Sequence, residues 1–199
     1  HTEVRRQRQM CIRDSDILAN KELIQHSRVF MTQLEQSLDA ASTALSYAKD
    51  GGSITILNPA PAQPLGENIL KLCDFVTPNE IEAEQITGIP VKSVSDAEVA
   101  ADKLLEKGAS AAVITLGEQG ALFKDSKQII HQPSFQVGPI VETTGAGDAF
   151  NGGLAVALAE EMPIDKALRF ACATASISVT RPGTAPSMPD RNEIDTLLT

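Results

Sequence analysis

Apolar and polar positions along this chain repeat with two periods, and the period switches again and again. Residues 28–35, RVFMTQLE, are a short apolar run that ends in polar Gln33 and Glu35, as a strand does on leaving a core. Residues 37–52 place Leu38, Ala41, Leu45 and Ala48 on one helical face before two glycines, which stop helices. A β-branched run at 53–58 meets the prolines of PAPAQP, so it predicts a strand and a break. Further strands are predicted at 74–79 and 111–117, the second nearly all apolar as in a sheet covered on both faces. Helices are predicted at 16–27, 66–73, 95–108, 148–161, 163–179 and 191–198. Ser95 and Glu98 have the spacing of a capping box, and Pro163 suits a first helical position. Short strands at 120–124, 127–132 and 134–137 read as a hairpin-rich stretch.

Strands alternating with helices of this length predict an α/β protein with a parallel sheet between two helical layers. Ligands in such sheets sit at the carboxyl ends of strands. Glu35, Asn58, Asn79, Thr115 and the turn at Gly145–Asp148 all fall at such ends.

Composition narrows the partners. The 199 residues carry a formal charge of −9. Nucleic-acid affinity comes largely from neutralising phosphates, so a nucleic acid or an anionic membrane surface is disfavoured. A small anion held by backbone N–H groups needs no net positive charge. Cys11, Cys73 and Cys172 are far apart and odd in number, which excludes a disulfide scaffold and fits a reducing, cytoplasmic setting. No apolar run reaches the roughly 20 residues of a membrane span. Residues 1–15 are anomalous, with four arginines and no clean period. They are expected to be a non-native or adaptor-derived tail, outside a domain at 16–199.

The segment VETTGAGDAFNGG, residues 141–153, concentrates the chemistry. The dinucleotide fingerprint fails because Phe150 stands where its third glycine belongs, and no phosphate-binding G-x-x-x-x-G-K-[S/T] run exists. Gly145 and Gly147 permit unusual backbone angles and close approach. The helix that follows offers unpaired N–H groups at its start, and together these make an anion hole. A carboxylate at Asp148 can there take the proton of an attacking alcohol, or it caps the helix. Asn79 and Glu82 likewise read as a capping box or as a metal and phosphate handler. Thr115, Gly117 and Gly120 read as a tight turn or as a nucleotide loop. The loop at 181–187 is a surface loop or wraps a cation. His26 and His131 read as surface or packing residues, and Cys172 as core.

TTGAGDAFNGG resembles the C-terminal signature of the PfkB (ribokinase-like) sugar kinases. ILNPAPA, TPNEIEAEQITG, VITLGEQG and VTRPGTAPSMP resemble other blocks of that family in the same order. The resemblance runs from about residue 17 to 199. It implies a three-layer α/β/α ribokinase-like (Rossmann-like) fold with a mostly parallel central sheet. It also implies only the C-terminal two-thirds of such an enzyme, with N-terminal strands and the lid missing. An inactive chain, and loss of the homodimer contact made through that lid, are then expected.

The implied reaction is ATP-dependent phosphorylation of D-ribose; a fructose or nucleoside kinase, or a silent nucleotide-binding module, are the rivals. By motif, Asp148 matches the catalytic base, and Gly145, Ala146 and Gly147 the anion hole. Asn79 and Glu82 match a pair associated with Mg2+ and phosphate. Thr115, Gly117 and Gly120 match the nucleotide loop, and Glu35 a sugar contact. Cys172 stands where the family often has asparagine beside adenine. Glu142, Thr144, Ser178, Arg181, Gly183 and Ser187 match a K+ shell built largely of backbone oxygens. The family's usual residue at the Glu142 position is aspartate.

Overall fold

Strand β2 (Ile54–Leu57) lies inside a sheet whose two faces both meet helices, and its alternate residues enter different cores. The computed structural model describes Ile12 and residues 14–199. The tail expected at 1–15 therefore falls almost wholly outside the described residues. Six strands lie in sequence order: β1 (Val29–Thr32), β2, β3 (Phe75–Val76), β4 (Ala111–Thr115), β5 (Ala121–Asp125) and β6 (Ile129–Gln132). The first four pair in parallel, with Val29 opposite Ile54 and Leu57 opposite Val76. β5 and β6 are antiparallel additions, so the sheet is mixed. The run at 134–137 forms no strand; Phe135 N instead donates to Ser176 Oγ at 3.1 Å.

Helices α1 (Asp14–Ala19) and α2 (Lys21–Gln25) replace the single helix expected at 16–27, with the break at Asn20. α3 (Leu38–Asp50) starts where Ser37 Oγ accepts from Ala40 N at 3.2 Å, and it buries Ala41, Leu45 and Ala48 as their spacing predicts. α4 (Glu67–Leu70), α5 (Glu80–Thr87) and α6 (Val94–Glu106) follow. Leu45 of α3, Ile69 of α4, Ala83 of α5 and Leu104 of α6 share one core with Leu57, Val76 and Ile114 of the sheet. The other face carries α7 (Ala146–Ala159), α8 (Ile164–Ser178) and α9 (Arg191–Leu198). There Phe150, Leu154, Leu168 and Ile194 pack on Ile56, Val113 and Phe123. Burying a side chain of this size contributes about 1.5–3 kcal/mol, and both layers depend on it.

Several helix starts differ from the sequence reading, among them α7, which begins at Ala146 rather than at Asp148. α6 is capped by Ser93, whose Oγ accepts from Asp96 N at 3.1 Å, not by Ser95. Pro163 precedes α8 in an extended conformation, so Ile164 is its first residue. Strand β1, the outermost strand on its side among the described residues, is tied to α7 at both ends. Arg28 Nη1 donates to the Ala159 carbonyl at 2.7 Å, and Gln33 Nε2 donates to Asp148 Oδ1 at 2.8 Å. No helix among the described residues is long and apolar enough to cross a membrane.

Candidate active site

The carboxyl ends of β1 to β4 converge on the start of α7. Gly145 precedes that helix at φ 85°, ψ 0°, a left-handed geometry that costs other residues about 1–2 kcal/mol. A Cβ there would press on Thr184 Cγ2 at 3.1 Å. Ala146 N donates to Thr143 O at 3.1 Å and Ala149 N to Gly145 O at 2.9 Å. The N–H groups of Gly147 and Asp148, between them, have no acceptor among the described residues. The Gly145 N–H also has no acceptor among the described residues, so the open donors are those of 145, 147 and 148, whereas that of Ala146 is already used. Nothing lies within 4 Å of where a Gly147 Cβ would stand. Its missing side chain keeps free space free, and unpaired amides at a helix start attract an anion into that space.

Two cavities share Asp148, Gln33 and Asn151 as a common wall. The larger, about 410 Å³, is lined also by Met31, Thr32, Glu35 and Gln36. The smaller, about 160 Å³, is lined by Asn58, Ala60, Thr77, Asn79, Glu82, Thr115, Gly145 and Gly147. The first has polar side chains that suit a hydroxylated ligand. The second has the open amides. Asp148 stands between them and is exposed to both, with Gln33 fixing Oδ1.

Asn79 and Glu82 form the capping box of α5. Glu82 N donates to Asn79 Oδ1 and Asn79 N to Glu82 Oε2, each at 2.9 Å. The structural reading and the ligand reading coincide here, because Glu82 also lines the smaller cavity. Glu82 is only 8% exposed. Burial raises its pKa above the ordinary glutamate value, the Asn79 N–H opposes that shift, and the nearby Glu80 adds to it. Among the described residues no cation repays its cost of burial.

Thr115 reaches the smaller cavity; Gly117 and Gly120 do not line it. They bracket a 3-10 turn after β4, and a Cβ on Gly120, at φ 90°, would collide with the Gln132 carbonyl. Cys172 is buried on α8, with Sγ 3.8 Å from the Gln132 carbonyl, and burial pushes its thiol up to about 12. It lines neither cavity. Among the residues of the expected cation shell, Glu142 Oε2 accepts from Gly183 N at 2.7 Å, joining the two loops concerned. The Arg181 guanidinium pairs with Glu193, and the hydroxyls of Ser178 and Ser187 donate to Ala175 O at 2.8 Å and Thr184 O at 2.7 Å. Thr144 is exposed beside them. No group of three or more His, Cys, Asp or Glu side chains among the described residues forms a metal cluster.

The sequence reading missed Asn151 and Thr77. Both are buried, and Thr77 Oγ1 donates to Asn151 Oδ1 at 2.6 Å. The available signal was a polar residue four positions after Gly147, on the buried side of an otherwise apolar helix.

Fold and site define a three-layer α/β protein with two adjoining cavities and open backbone amides at the ends of its parallel strands, where sheets of this kind take their ligands. The chain belongs to the pfkB family of carbohydrate kinases, whose model matches residues 1–191. It is 42% identical over 172 residues to the ribokinase of Haemophilus influenzae, covering 85% of this chain and 55% of that protein. It is 36% identical over 184 residues to the deoxyribokinase of Salmonella typhi, covering 92% and 60%. Its fold is similar to that of Arabidopsis thaliana ribokinase complexed with ribose and ATP, with a TM-score of 0.87 and 30% identity over 94% of this chain and 59% of that one.

These matches correct two expectations. The family match takes in nearly the whole chain, including the first fifteen residues, rather than starting near residue 17. The fold match likewise covers nearly the whole chain. They replace the expectation of a C-terminal piece lacking N-terminal strands and a lid. The chain spans 55–60% of the length of these curated relatives.

Proposed function

We propose that this chain carries the phosphoryl-transfer site of an ATP-dependent sugar kinase, with D-ribose as acceptor and the product D-ribose 5-phosphate. One observation carries the reading: a single carboxylate, Asp148, forms the wall between a polar cavity and an anion-receptive one. The sugar fits the larger cavity beside Glu35, and the terminal phosphate of ATP fits the smaller one at the open amides. Similarity to a ribokinase that binds ribose and ATP supports both assignments.

Asp148 accepts the proton of the primary hydroxyl. The oxygen so released forms a bond to the γ-phosphorus as the bond to the ADP oxygen breaks in line. The N–H groups of Gly147 and Asp148 stabilise the charge on the transferring phosphoryl oxygens. Thr115 borders the nucleotide side. Glu82, beside Asn79, is the residue to hold Mg2+, since its donors are hard oxygens and its buried charge has no cation among the described residues. A magnesium ion bound there would neutralise phosphate charge. Glu142, Thr144 and the 178–187 loop are the K+ candidate, through carbonyl oxygens and the Glu142 carboxylate.

The test is ADP release by the chain with D-ribose, 2-deoxyribose and D-fructose in turn, with and without Asp148→Asn. Ribose-dependent turnover is expected, with a loss of about 10²–10⁴-fold in the variant. Undiminished turnover by the variant, or a preference for fructose, would overturn the respective part.

A further inference from the structure

Asn151 lies one turn inside α7, three residues after the carboxylate, and is 3% exposed. Its Nδ2 donates to the Gly147 carbonyl at 2.9 Å, and its Oδ1 accepts from Thr77 Oγ1 at 2.6 Å. The orientation of the amide is decided by its partners. A carbonyl only accepts, so the nitrogen must face Gly147, and the oxygen is left for the Thr77 hydroxyl. Thr77 is 2% exposed and follows β3, so the pair joins the sheet to the first turn of the helix.

The carbonyl in question has a particular neighbour. The Gly147 C=O and the Asp148 N–H belong to one planar peptide unit and point in opposite directions. Pinning the carbonyl therefore aims the N–H. That N–H is one of the three without an acceptor among the described residues at the mouth of the smaller cavity.

We propose that Asn151, oriented by Thr77, is a positioning residue that sets the direction of the Asp148 amide and so the shape of the anion hole. It touches no reacting atom; it acts through the 147–148 peptide. The inference rests on the phosphoryl-transfer reading of the same site. It deepens that reading by assigning a buried polar pair that neither proton transfer nor metal binding uses. A helix interior asparagine is a poor helix former and a costly buried group, so a role in aiming the amide accounts for its presence.

The experiment compares wild type with Asn151→Asp, Asn151→Ser and Thr77→Val. Aspartate keeps the shape and still accepts from Thr77, but a carboxylate cannot donate to the Gly147 carbonyl. Serine can donate to a carbonyl four residues back. Three readouts are taken: the melting temperature, the 1H–15N shifts of Gly147 and Asp148 during titration with inorganic phosphate, and kcat and KM for ribose.

In Asn151→Asp the Asp148 amide is expected to need about tenfold more phosphate, with kcat down about tenfold and KM for ribose within about twofold. Asn151→Ser recovers part of both losses. An Asn151→Asp protein that responds to phosphate and turns over like wild type overturns the inference. So does an Asn151→Ser protein no better than Asn151→Asp at equal melting temperature. Should Asn151→Asp fail to fold, Thr77→Val decides: a weakened phosphate response supports the inference and an unchanged one overturns it. A wild type whose two amides ignore phosphate overturns the anion hole itself, and this inference with it.

Discussion

Gln33 and Asp148 lie 115 residues apart and are joined by a 2.8 Å hydrogen bond from the amide nitrogen of one to Oδ1 of the other. Gln33 is itself steadied, because Gln36 Nε2 donates to its carbonyl at 2.9 Å and also to Thr32 Oγ1. With Oδ1 held, Oδ2 of Asp148 is the oxygen that the proposed mechanism leaves for the sugar hydroxyl. Gln33→Ala should let the carboxylate rotate and lower kcat about tenfold, with less change in KM. Gln33→Glu should cost more, since a second carboxylate repels the first. Steady-state kinetics of both variants at saturating ATP checks the order.

Gly147 and Gly145 should respond oppositely to alanine. Gly147 has a negative φ and open space around its missing Cβ. Gly147→Ala should therefore fold at least as well, with a gain of up to about 0.4–1 kcal/mol from reduced unfolded-chain entropy. Its methyl would occupy the smaller cavity, so KM for ATP should rise. Gly145→Ala should instead lose about 1–2 kcal/mol from its left-handed geometry alone. Denaturant melts beside nucleotide titrations separate the two effects.

Glu82 should make stability depend on pH in the direction opposite to most carboxylates. Burial raises its folded pKa above the ordinary value of 4.5. The native state then holds this proton more tightly than the unfolded chain does. Stability falls as pH climbs from about the unfolded value through the raised folded one, and the loss persists at neutral pH. Glu82→Gln keeps an oxygen for the Asn79 N–H and removes the charge. It should gain stability relative to wild type at pH 7 and show little difference at pH 4. Urea melts at both values test this, and added Mg2+ should narrow the gap at pH 7.

Cys73 and Cys172 should be unreactive in the folded protein. Burial pushes both thiols up to about 12, so almost no thiolate exists at pH 8. Labelling with a thiol-disulfide reagent should leave both unmodified under native conditions and modify both in denaturant. Mass spectrometry of the peptides containing each cysteine reads the result.

The periodicity located the layers because each helix and strand buries one face, and that pattern is local. The Asn79–Glu82 capping box was legible for the same reason: its partners are three residues apart. The start of α6 was misread because Ser93–Asp96 and Ser95–Glu98 overlap as rival caps. The earlier start wins, with Val94 then packed against the core. Asp148 and its glycines could be read from the chemistry of one turn. Glu35 was legible as a strand-end polar residue, and only family resemblance gave it a sugar contact. Asn151 with Thr77 and Gln33 with Asp148 were not legible as pairs, since their partners are 74 and 115 residues away and only the folded sheet brings them together.

The double tether between β1 and α7 gives the strand the role of a ruler. From Arg28 to Gln33 the extended chain covers about 17 Å, and the 11 residue steps of α7 from Asp148 to Ala159 rise about 17 Å. The spans are close enough for one side chain to grip each end of the helix. Adding or removing a single residue in that strand would leave Arg28 on its carbonyl and carry the Gln33 amide out of reach. If Asp148 is the proposed base, its alignment is thus a matter of chain length as much as of side-chain identity, and insertions there should silence turnover.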